Sequence, residues 1–325
     1  MRISLFSLAL VGGLACAYPA AAGPVLDRVK AQGVVHCGSV ERPGLATAEG
    51  GEDKWSGLNV DVCRAIAAAV LGSPDRITFH EYETPKQYDA VRNGEDDVSF
   101  LTESEIYDHQ LAGKVLPGPT VFVESHAVMV PEKAKERHVK DLAGQSICFM
   151  TPSPVDHTVE SYFERQHLSF VAVPYSEDGE MVDAYLVQQC HAIAYEITTL
   201  ATVTDPGINK QKSRILPESL TVFPIMATTA TNDAQWSAIV AWTVHTLISA
   251  ERPETKWYHG GTKALPIDGA DLGLDKGWQD RMVKAVGHYG EIYDRNLGNK
   301  SPLKMARGLN ANQISGGLLL GPFLE

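Results

Sequence analysis

The segment SFLTESEIYDHQ, residues 99–110, carries the side chains whose types and spacing suggest chemistry. Three carboxylates, one imidazole and several hydroxyls fall within twelve residues, directly after the start of a short apolar strand at Val98. Carboxylates in such a place could bind an ammonium group or, together with His109, a metal ion. A solvated surface loop would have the same composition, and for any single residue of the segment that is the simpler interpretation.

Composition and charge disfavour several classes of protein. The 325 residues are 44 % hydrophobic and 21 % charged, which is ordinary globular material and enough for two domains. The net charge is −12. Because nucleic acids and anionic membrane surfaces are also negative, binding to either is not expected. No P-loop, GxGxxG, GxSxG or HExxH motif occurs, so no motif indicates nucleotide binding or hydrolysis.

The N-terminus predicts export. Residues 1–22 hold one positive charge at Arg2, an apolar run and small residues at Ala20 and Ala22. This pattern is typical of a secretory signal peptide cleaved after Ala22. Export would bring the mature chain into an oxidising compartment.

Four cysteines would remain in the mature chain: Cys37, Cys63, Cys148 and Cys190. They form two pairs of sequence neighbours, and bonds within each pair would close two separate loops worth roughly 3–4 kcal/mol each. A metal site or free thiols are the alternatives. No CxxC spacing exists, which makes a structural zinc the weaker of these.

Two α/β units are predicted to position the polar segment. Strand patterns occur at 34–40, 77–82, 97–101, 147–150, 170–175 and 191–196, with helical patterns at 57–72, 84–94, 156–166 and 179–190. This alternation predicts two mostly parallel β-α-β-α-β sheets. The extended segments 121–130 and 220–229 would join them. In open sheets ligands bind at the carboxyl ends of strands, so the loops after these strands are expected to meet in one cleft.

Several strings resemble a known family: VVHCG, DVCRAIAAAVLG, VKDLAGQSICF, DLGLDKGWQDRMVKAVGHYGEIYDRNLG and SPLKMARGLNA. From about residue 25 to 325 the chain resembles the general L-amino-acid-binding proteins of ABC transporters, which belong to family 3 of the periplasmic solute-binding proteins. The resemblance implies an α/β fold, the bilobal periplasmic-binding-protein clamshell of type II, in which two crossover strands join two mixed α/β lobes. It also implies the disulfides Cys37–Cys63 and Cys148–Cys190.

The resemblance further implies the organisation and partners of the chain. Lobe 1 would comprise residues 23–125 plus 226–325 with a C-terminal helical extension, and lobe 2 residues 126–225. The protein would be a periplasmic monomer that binds a small-molecule ligand and delivers it to an ABC transporter permease in the inner membrane. No cofactor and no enzymatic activity are implied.

The family binds its ligand through an arginine for the α-carboxylate, hydroxyl-rich turns, an acid for the α-ammonium and an aromatic lid. The matching positions here are His109 for the arginine, Thr102, Glu103 and Ser104 for the first turn, Thr151 and Ser153 for the second, Glu196 for the acid and Leu45 for the lid. A histidine cannot form the two-pronged contact of an arginine with a carboxylate. We therefore expect altered specificity, with Arg42 as a candidate substitute.

Four hypotheses follow from these departures. The acids of the cleft favour a cationic or amino-acid-derived solute. A metal variant would use His109, Asp156 and Glu196, with His157 as a further candidate. A dehydratase-like enzyme on the same scaffold would use Glu196 or Glu103 with His109 as acid and base. A protein with a degenerate ligand site would act outside transport, as a sensor or as the partner of an enzyme.

Overall fold

The computed structural model describes residues 23–50, 54–83, 87–204, 212–257 and 267–322. The predicted signal peptide over residues 1–22 lies outside the described residues, as does the start of the helix predicted at 84–94. Within the described ranges, no helix is both long enough and apolar enough to cross a membrane.

Strands and helices alternate along the described chain. The strands are β1 (Val35–Ser39), β2 (Thr47–Ala48), β3 (Trp55–Ser56), β4 (Ile77–Glu81), β5 (Val98–Thr102), β6 (Val115–Leu116), β7 (Thr120–Pro131), β8 (Ser146–Met150), β9 (Val171–Tyr175), β10 (Ala192–Glu196) and β11 (Ser213–Ala230). The α-helices are α1 (Pro24–Gln32), α2 (Leu58–Leu71), α3 (Ala90–Asn93), α4 (Glu103–Asp108), α5 (Pro154–Arg165), α6 (Asp178–Leu186), α7 (Ile197–Val203), α8 (Ala234–Ala250), α9 (Trp278–Val286) and α10 (Tyr289–Asn296).

One mixed sheet runs through the molecule in the order β4-β1-β5-β11-β7-β10-β8-β9, with β6 on β11. Strand β1 is parallel to β4 and β5, and β8 is parallel to β9 and β10. The long strands β7 and β11 pair with each other in the middle and are antiparallel to β10 and β5 respectively. The two predicted β-α-β-α-β units are therefore present on either side of two long connecting strands.

Helix α2 illustrates how the sequence sets these elements. Its apolar residues face the sheet, and it ends at Gly72, whose φ of 79° is a left-handed conformation that glycine adopts without strain. Cys63 of α2 bonds Cys37 of β1, with their Cα atoms 6.3 Å apart. In the other unit Cys148 bonds Cys190 across a Cα separation of 5.8 Å. The predicted disulfides are confirmed.

Separate hydrophobic cores lie on the two sides of the long strands. The first is built from α2, β1 and the C-terminal helices, and it buries Trp236, Trp278 and Tyr289 almost completely. The second centres on β8 and α5, with Ile147 and Phe163 fully covered. Because each core is closed around its own strands, the molecule has two lobes.

The polar segment 99–110 forms the end of a strand and a short helix. Its interpretation as a solvated surface loop is therefore wrong. It continues from β5 directly into helix α4, and a capping box begins the helix. The Thr102 hydroxyl accepts the Glu105 N–H at 3.2 Å, and Glu105 Oε2 accepts the Thr102 N–H at 2.8 Å. The T-x-x-E spacing satisfies two backbone donors at the helix start, and this holds the segment in shape.

Candidate functional site

Arg42 lies between the two lobes, in the turn that follows β1. Backbone hydrogen bonds between Arg42 and Ala46 close that turn at 2.9 and 3.0 Å. The residue is only 8 % exposed. Its Nη2 lies 3.0 Å from Glu105 Oε1, and its Nε lies 3.5 Å from Glu196 Oε2. Because Glu105 follows β5 and Glu196 ends β10, the guanidinium meets one carboxylate from each lobe.

The Arg42 guanidinium has hydrogen-bonding capacity left over. Neither Nε nor Nη1 has a hydrogen-bond acceptor among the described residues, although both atoms are buried. Burial disfavours the charged form, but the carboxylates of Glu196 and Glu105 outweigh it and raise the pKa of Arg42 above its ordinary value. Arg42 therefore remains a cation and can donate further hydrogen bonds.

A third carboxylate, Glu124 of β7, lies fully buried behind Glu196. Its Oε1 accepts the Ile197 N–H at 3.2 Å, and its Oε2 accepts the Thr198 hydroxyl at 2.6 Å. These contacts hold the first turn of α7, which Glu196 precedes. Burial raises the pKa of Glu124 to about 8, and the Glu196 carboxylate adds to the rise. Burial thus favours the protonated form of Glu124, and the two carboxylates that contact Arg42 are those of Glu105 and Glu196.

His109 ends helix α4 and stacks on Tyr88, with ring centroids 3.9 Å apart and planes 14° apart. Burial, followed by the Glu105 carboxylate, raises the pKa of Tyr88 to about 12. A hydrogen bond between the Tyr88 hydroxyl and Glu105 contributes to this rise. The histidine at the arginine position thus packs against an aromatic ring that in turn contacts the Arg42–Glu105 pair.

The second hydroxyl turn is occupied with capping α5. Ser153 Oγ accepts the Val155 N–H at 3.2 Å and donates to the Met150 carbonyl at 2.7 Å. The Thr151 hydroxyl donates to Asp156 Oδ2 at 2.8 Å. Both residues follow β8, the parallel neighbour of β10, so they share a sheet edge with Glu196.

Three other predicted site residues have different surroundings. Leu45 is fully buried in the first hydrophobic core, because the closed turn after Arg42 directs its side chain inward; it does not cover the cleft as the lid position implied. Glu103 and Ser104 are exposed on α4. The Ser104 hydroxyl lies 3.1 Å from that of Thr102.

Of the residues considered for a metal variant, only the chain neighbours Asp156 and His157 are in contact, with Asp156 Oδ1 3.7 Å from His157 Nε2. Within the described ranges no group of three or more His, Cys, Asp and Glu side chains is placed to hold a metal ion. Each candidate has a different neighbour: Tyr88 for His109, Thr151 for Asp156 and Arg42 for Glu196.

A cavity of about 1,070 Å³ opens beside Arg42 and Glu196. Three parts of the chain form its walls: the turn after β1 with Thr47 and Glu49, helices α6 and α7, and a C-terminal stretch that includes Arg295. Ligand pockets in proteins commonly measure about 300–1,000 Å³, so this volume is sufficient for a small-molecule site.

Glu124 and Tyr88 were not among the predicted site residues, whereas Glu105 is one of the acids predicted for the cleft. Both acids have a signal in the sequence. Glu105 completes the T-x-x-E capping pattern, and Glu124 is an acid inside the otherwise apolar run VFVESHAVMV. Tyr88 has no signal, since only the fold brings it to His109.

Two lobes joined by long strands, with a charged cavity between them, define a bilobal solute-binding protein. No family model matches the chain. It is 30 % identical over 340 residues to the general L-amino acid-binding periplasmic protein AapJ of Rhizobium johnstonii, covering 99 % of both chains. It is 28 % identical over 327 residues to the glutamate/glutamine/aspartate/asparagine-binding protein BztA of Rhodobacter capsulatus, covering 93 % of this chain and 94 % of that protein.

A solved structure agrees with these relatives. The periplasmic binding protein of an ABC transporter from Brucella ovis, with glutathione bound, is 32 % identical. The match has a TM-score of 0.74 and covers 90 % of this chain and 97 % of that one. The chain therefore belongs to the family of periplasmic amino-acid-binding proteins of ABC transporters, and the predicted bilobal α/β clamshell is confirmed.

Proposed function

We propose that this protein is the binding component of an ABC uptake system whose specificity has shifted to a cationic, amino-acid-derived solute. The observation that carries the proposal is Arg42, a buried guanidinium between two lobes whose Nη1 N–H groups have no acceptor among the described residues. A carboxylate on the solute would accept these N–H groups, and such charge-assisted hydrogen bonds are strong where water is excluded.

The charge balance around Arg42 supports a cationic solute. Two carboxylates, those of Glu105 and Glu196, lie beside the single guanidinium of Arg42, while burial favours the protonated form of Glu124. A solute with one carboxylate and one ammonium group leaves this excess negative charge in place. A second ammonium or a guanidinium would balance it. Glu196 is the proposed partner of the solute's α-ammonium, because it already lies beside Arg42.

The remaining predicted binding residues have supporting positions in this proposal. Thr102, His109, Thr151 and Ser153 are not among the residues that line the cavity, so their proposed part is to support the neighbouring turns. Their observed hydrogen bonds and ring contact hold the turns at the carboxyl ends of β5 and β8. Leu45 has no part, since it is buried in the core.

We also propose that the protein is located in the periplasm and that its partner is a permease. The signal peptide pattern over residues 1–22 and the periplasmic relatives support export to the periplasm. Membership of the family supports delivery of the solute to a permease in the inner membrane. We propose lobe 1 as residues 23–125 plus 226–325 and lobe 2 as residues 126–225, because the two cores fall on either side of these bounds except for Ile225.

A thermal-shift panel tests the proposed specificity. The purified protein is mixed separately with L-lysine, L-arginine, L-glutamate and cadaverine, which is lysine without its carboxylate. We expect the basic amino acids to stabilise it most, by about 2.7 kcal/mol at 100 times their dissociation constant. Stabilisation by cadaverine equal to that by lysine would remove Arg42 from the proposal. Preference for L-glutamate would contradict a cationic solute.

The variant Arg42→Met removes the proposed partner of the solute carboxylate. We expect lysine and arginine no longer to stabilise this variant in the thermal-shift measurement. Arg92→Met is its control, because Arg92 pairs with Asp89 at 3.0 Å on the surface of α3, outside the residues that line the cavity. If both variants respond to the panel like the unmodified protein, the Arg42 assignment is wrong.

A further inference from the structure

The cavity beside Arg42 extends well beyond the guanidinium. Arg42 is buried and Glu196 is half-buried, so these two residues mark the inner side of the cavity. Its outer part lies between the turn after β1, helix α6 and the C-terminal residues Asn296 and Ser301. At about 1,070 Å³ it is at the top of the range of pockets that enclose drug-sized ligands, so a free amino acid would leave much of it empty.

The outer part of the cavity is acidic on two facing walls. The wall beside β1 contributes Glu41 and Glu49, and helix α6 contributes Asp178 and Asp183. In the part of the chain that the structure describes, none of these four carboxylates forms an ion pair.

Among the described residues of the lining, Arg295 is the one other cation, and it does not offset this charge. Its Nε donates to Asp61 Oδ2 at 2.8 Å, so its positive charge is already paired. Near Glu41 the negative charge is dense enough to affect a neighbour. Burial, followed by the carboxylates of Glu41 and Glu83, raises the pKa of Glu81.

The inner and outer parts of the cavity therefore favour ligand groups of opposite charge. At the inner end the buried Nη1 of Arg42 has no acceptor among the described residues, which calls for an anionic group. At the outer end the acidic walls call for a cation. A solute whose carboxylate and positive charge are several bonds apart could contact both the buried Arg42 and the exposed acids of the lining.

We infer that the solute is a short basic peptide, with its C-terminal carboxylate on Arg42 and its cationic groups between Asp178 and Asp183 and the facing wall. This inference rests on the proposed function, because it uses the same Arg42 site. A peptide matches the cavity in length, and its N-terminal ammonium is at the opposite end from its carboxylate. A basic side chain adds the second positive charge that the outer walls accommodate.

Calorimetric titration with four probes tests the inference: L-lysine, glycyl-glycine, lysyl-glycine and glutamyl-glycine. We expect lysyl-glycine to bind tightest, about tenfold more tightly than L-lysine and more tightly still than glutamyl-glycine. The double variant Asp178→Asn with Asp183→Asn should weaken lysyl-glycine about fivefold, the size expected for two partly exposed charge contacts. Its control is Glu177→Gln with Glu180→Gln, two exposed acids of the same region that do not line the cavity.

The possible outcomes distinguish failure of the peptide inference from failure of the proposed function. L-lysine binding more tightly than every dipeptide would overturn the peptide inference and leave the proposed function standing. Binding of none of the four probes would overturn both. An equal loss of affinity in the two double variants would show a general charge effect and remove Asp178 and Asp183 from the site.

Discussion

Arg42 and Glu105 form a pair in which the acid serves two purposes. One carboxylate oxygen of Glu105 lies 3.0 Å from the Arg42 guanidinium, and the other accepts the Thr102 N–H at 2.8 Å. Glu105, the third residue of helix α4, therefore both completes the capping box and holds the cation that lies between the lobes. A change in the capping box would move the guanidinium, and loss of the guanidinium would leave a buried carboxylate without its partner.

Loss of Arg42 is expected to destabilise the ligand-free protein. Arg42→Met removes the cation beside Glu105 and Glu196, and breaking a buried ion pair by removing one partner costs about 3 kcal/mol or more. Urea denaturation measures the change in the free energy of unfolding. The surface control Arg92→Met should cost under about 1 kcal/mol, as exposed pairs do. Equal losses in both variants would contradict a special role for the Arg42 pair.

The two functions of Glu105 can be separated. Glu105→Gln keeps an oxygen that accepts the Thr102 N–H but removes the charge facing Arg42. Glu105→Ala removes both and should cost about 1 kcal/mol more in the free energy of unfolding, the typical value of a helix cap. Glu103→Ala, at an exposed position of the same helix, should have little effect. If the alanine and glutamine variants at Glu105 are equally stable, the capping contact contributes nothing measurable.

Protonation of Glu124 should make stability depend on pH. Its folded-state pKa of about 8 lies above the ordinary value of 4.5, so folding favours the protonated acid. Its contribution is full below pH 4.5 and is lost as the pH rises toward 8. Relative to Glu124→Gln, the unmodified protein should therefore lose stability between pH 6.5 and 8.

A second buried group, His126, titrates below this pH range and does not affect the comparison. Burial lowers the pKa of His126 to about 4, so its effect falls between pH 6.5 and 4, where protonation destabilises the fold. Glu164→Gln, at an exposed position of α5, is the control and should keep the slope of the unmodified protein. Parallel pH curves for Glu124→Gln and the unmodified protein would show that Glu124 is ionised throughout.

The disulfide of the second lobe is expected to carry a large share of its stability. Cys148 and Cys190 are 42 residues apart, and closing a loop of that length is worth about 4 kcal/mol in the chain-entropy model. Replacing both by serine should lower the free energy of unfolding by about this amount, measured by denaturant titration. A loss below about 1 kcal/mol would indicate that the lobe is held by its core alone.

The sequence predicted the architecture well because the architecture depends on local patterns. Apolar residues at helical spacing marked α2, a short apolar run marked β1, and glycine marked the end of α2 at Gly72. The interpretation of the segment after β5 as a loop was wrong for a local reason too. The T-x-x-E pattern from Thr102 to Glu105 predicts the start of a helix, which composition alone does not show.

The contacts of the site were harder to predict because they join distant parts of the chain. Arg42 and Glu196 are 154 positions apart in the numbering, and only the closure of two lobes brings them within 3.5 Å. Leu45 was assigned by position in the family pattern, but the backbone bonds of the preceding turn decide its direction. Glu124 is a buried acid whose partners, Ile197 and Thr198, lie on another element.

Arg42 is proposed to bind the carboxylate of the solute, and this contact can be tested directly. Calorimetric titration should compare the best-stabilising solute of the panel with its carboxamide analogue, in the unmodified protein and in Arg42→Met. We predict that the unmodified protein binds the acid about 100-fold more tightly than the amide, the loss typical of a removed partner in a desolvated charge pair. Arg42→Met should bind both weakly and equally. Equal affinity of the unmodified protein for the acid and the amide would contradict the claim.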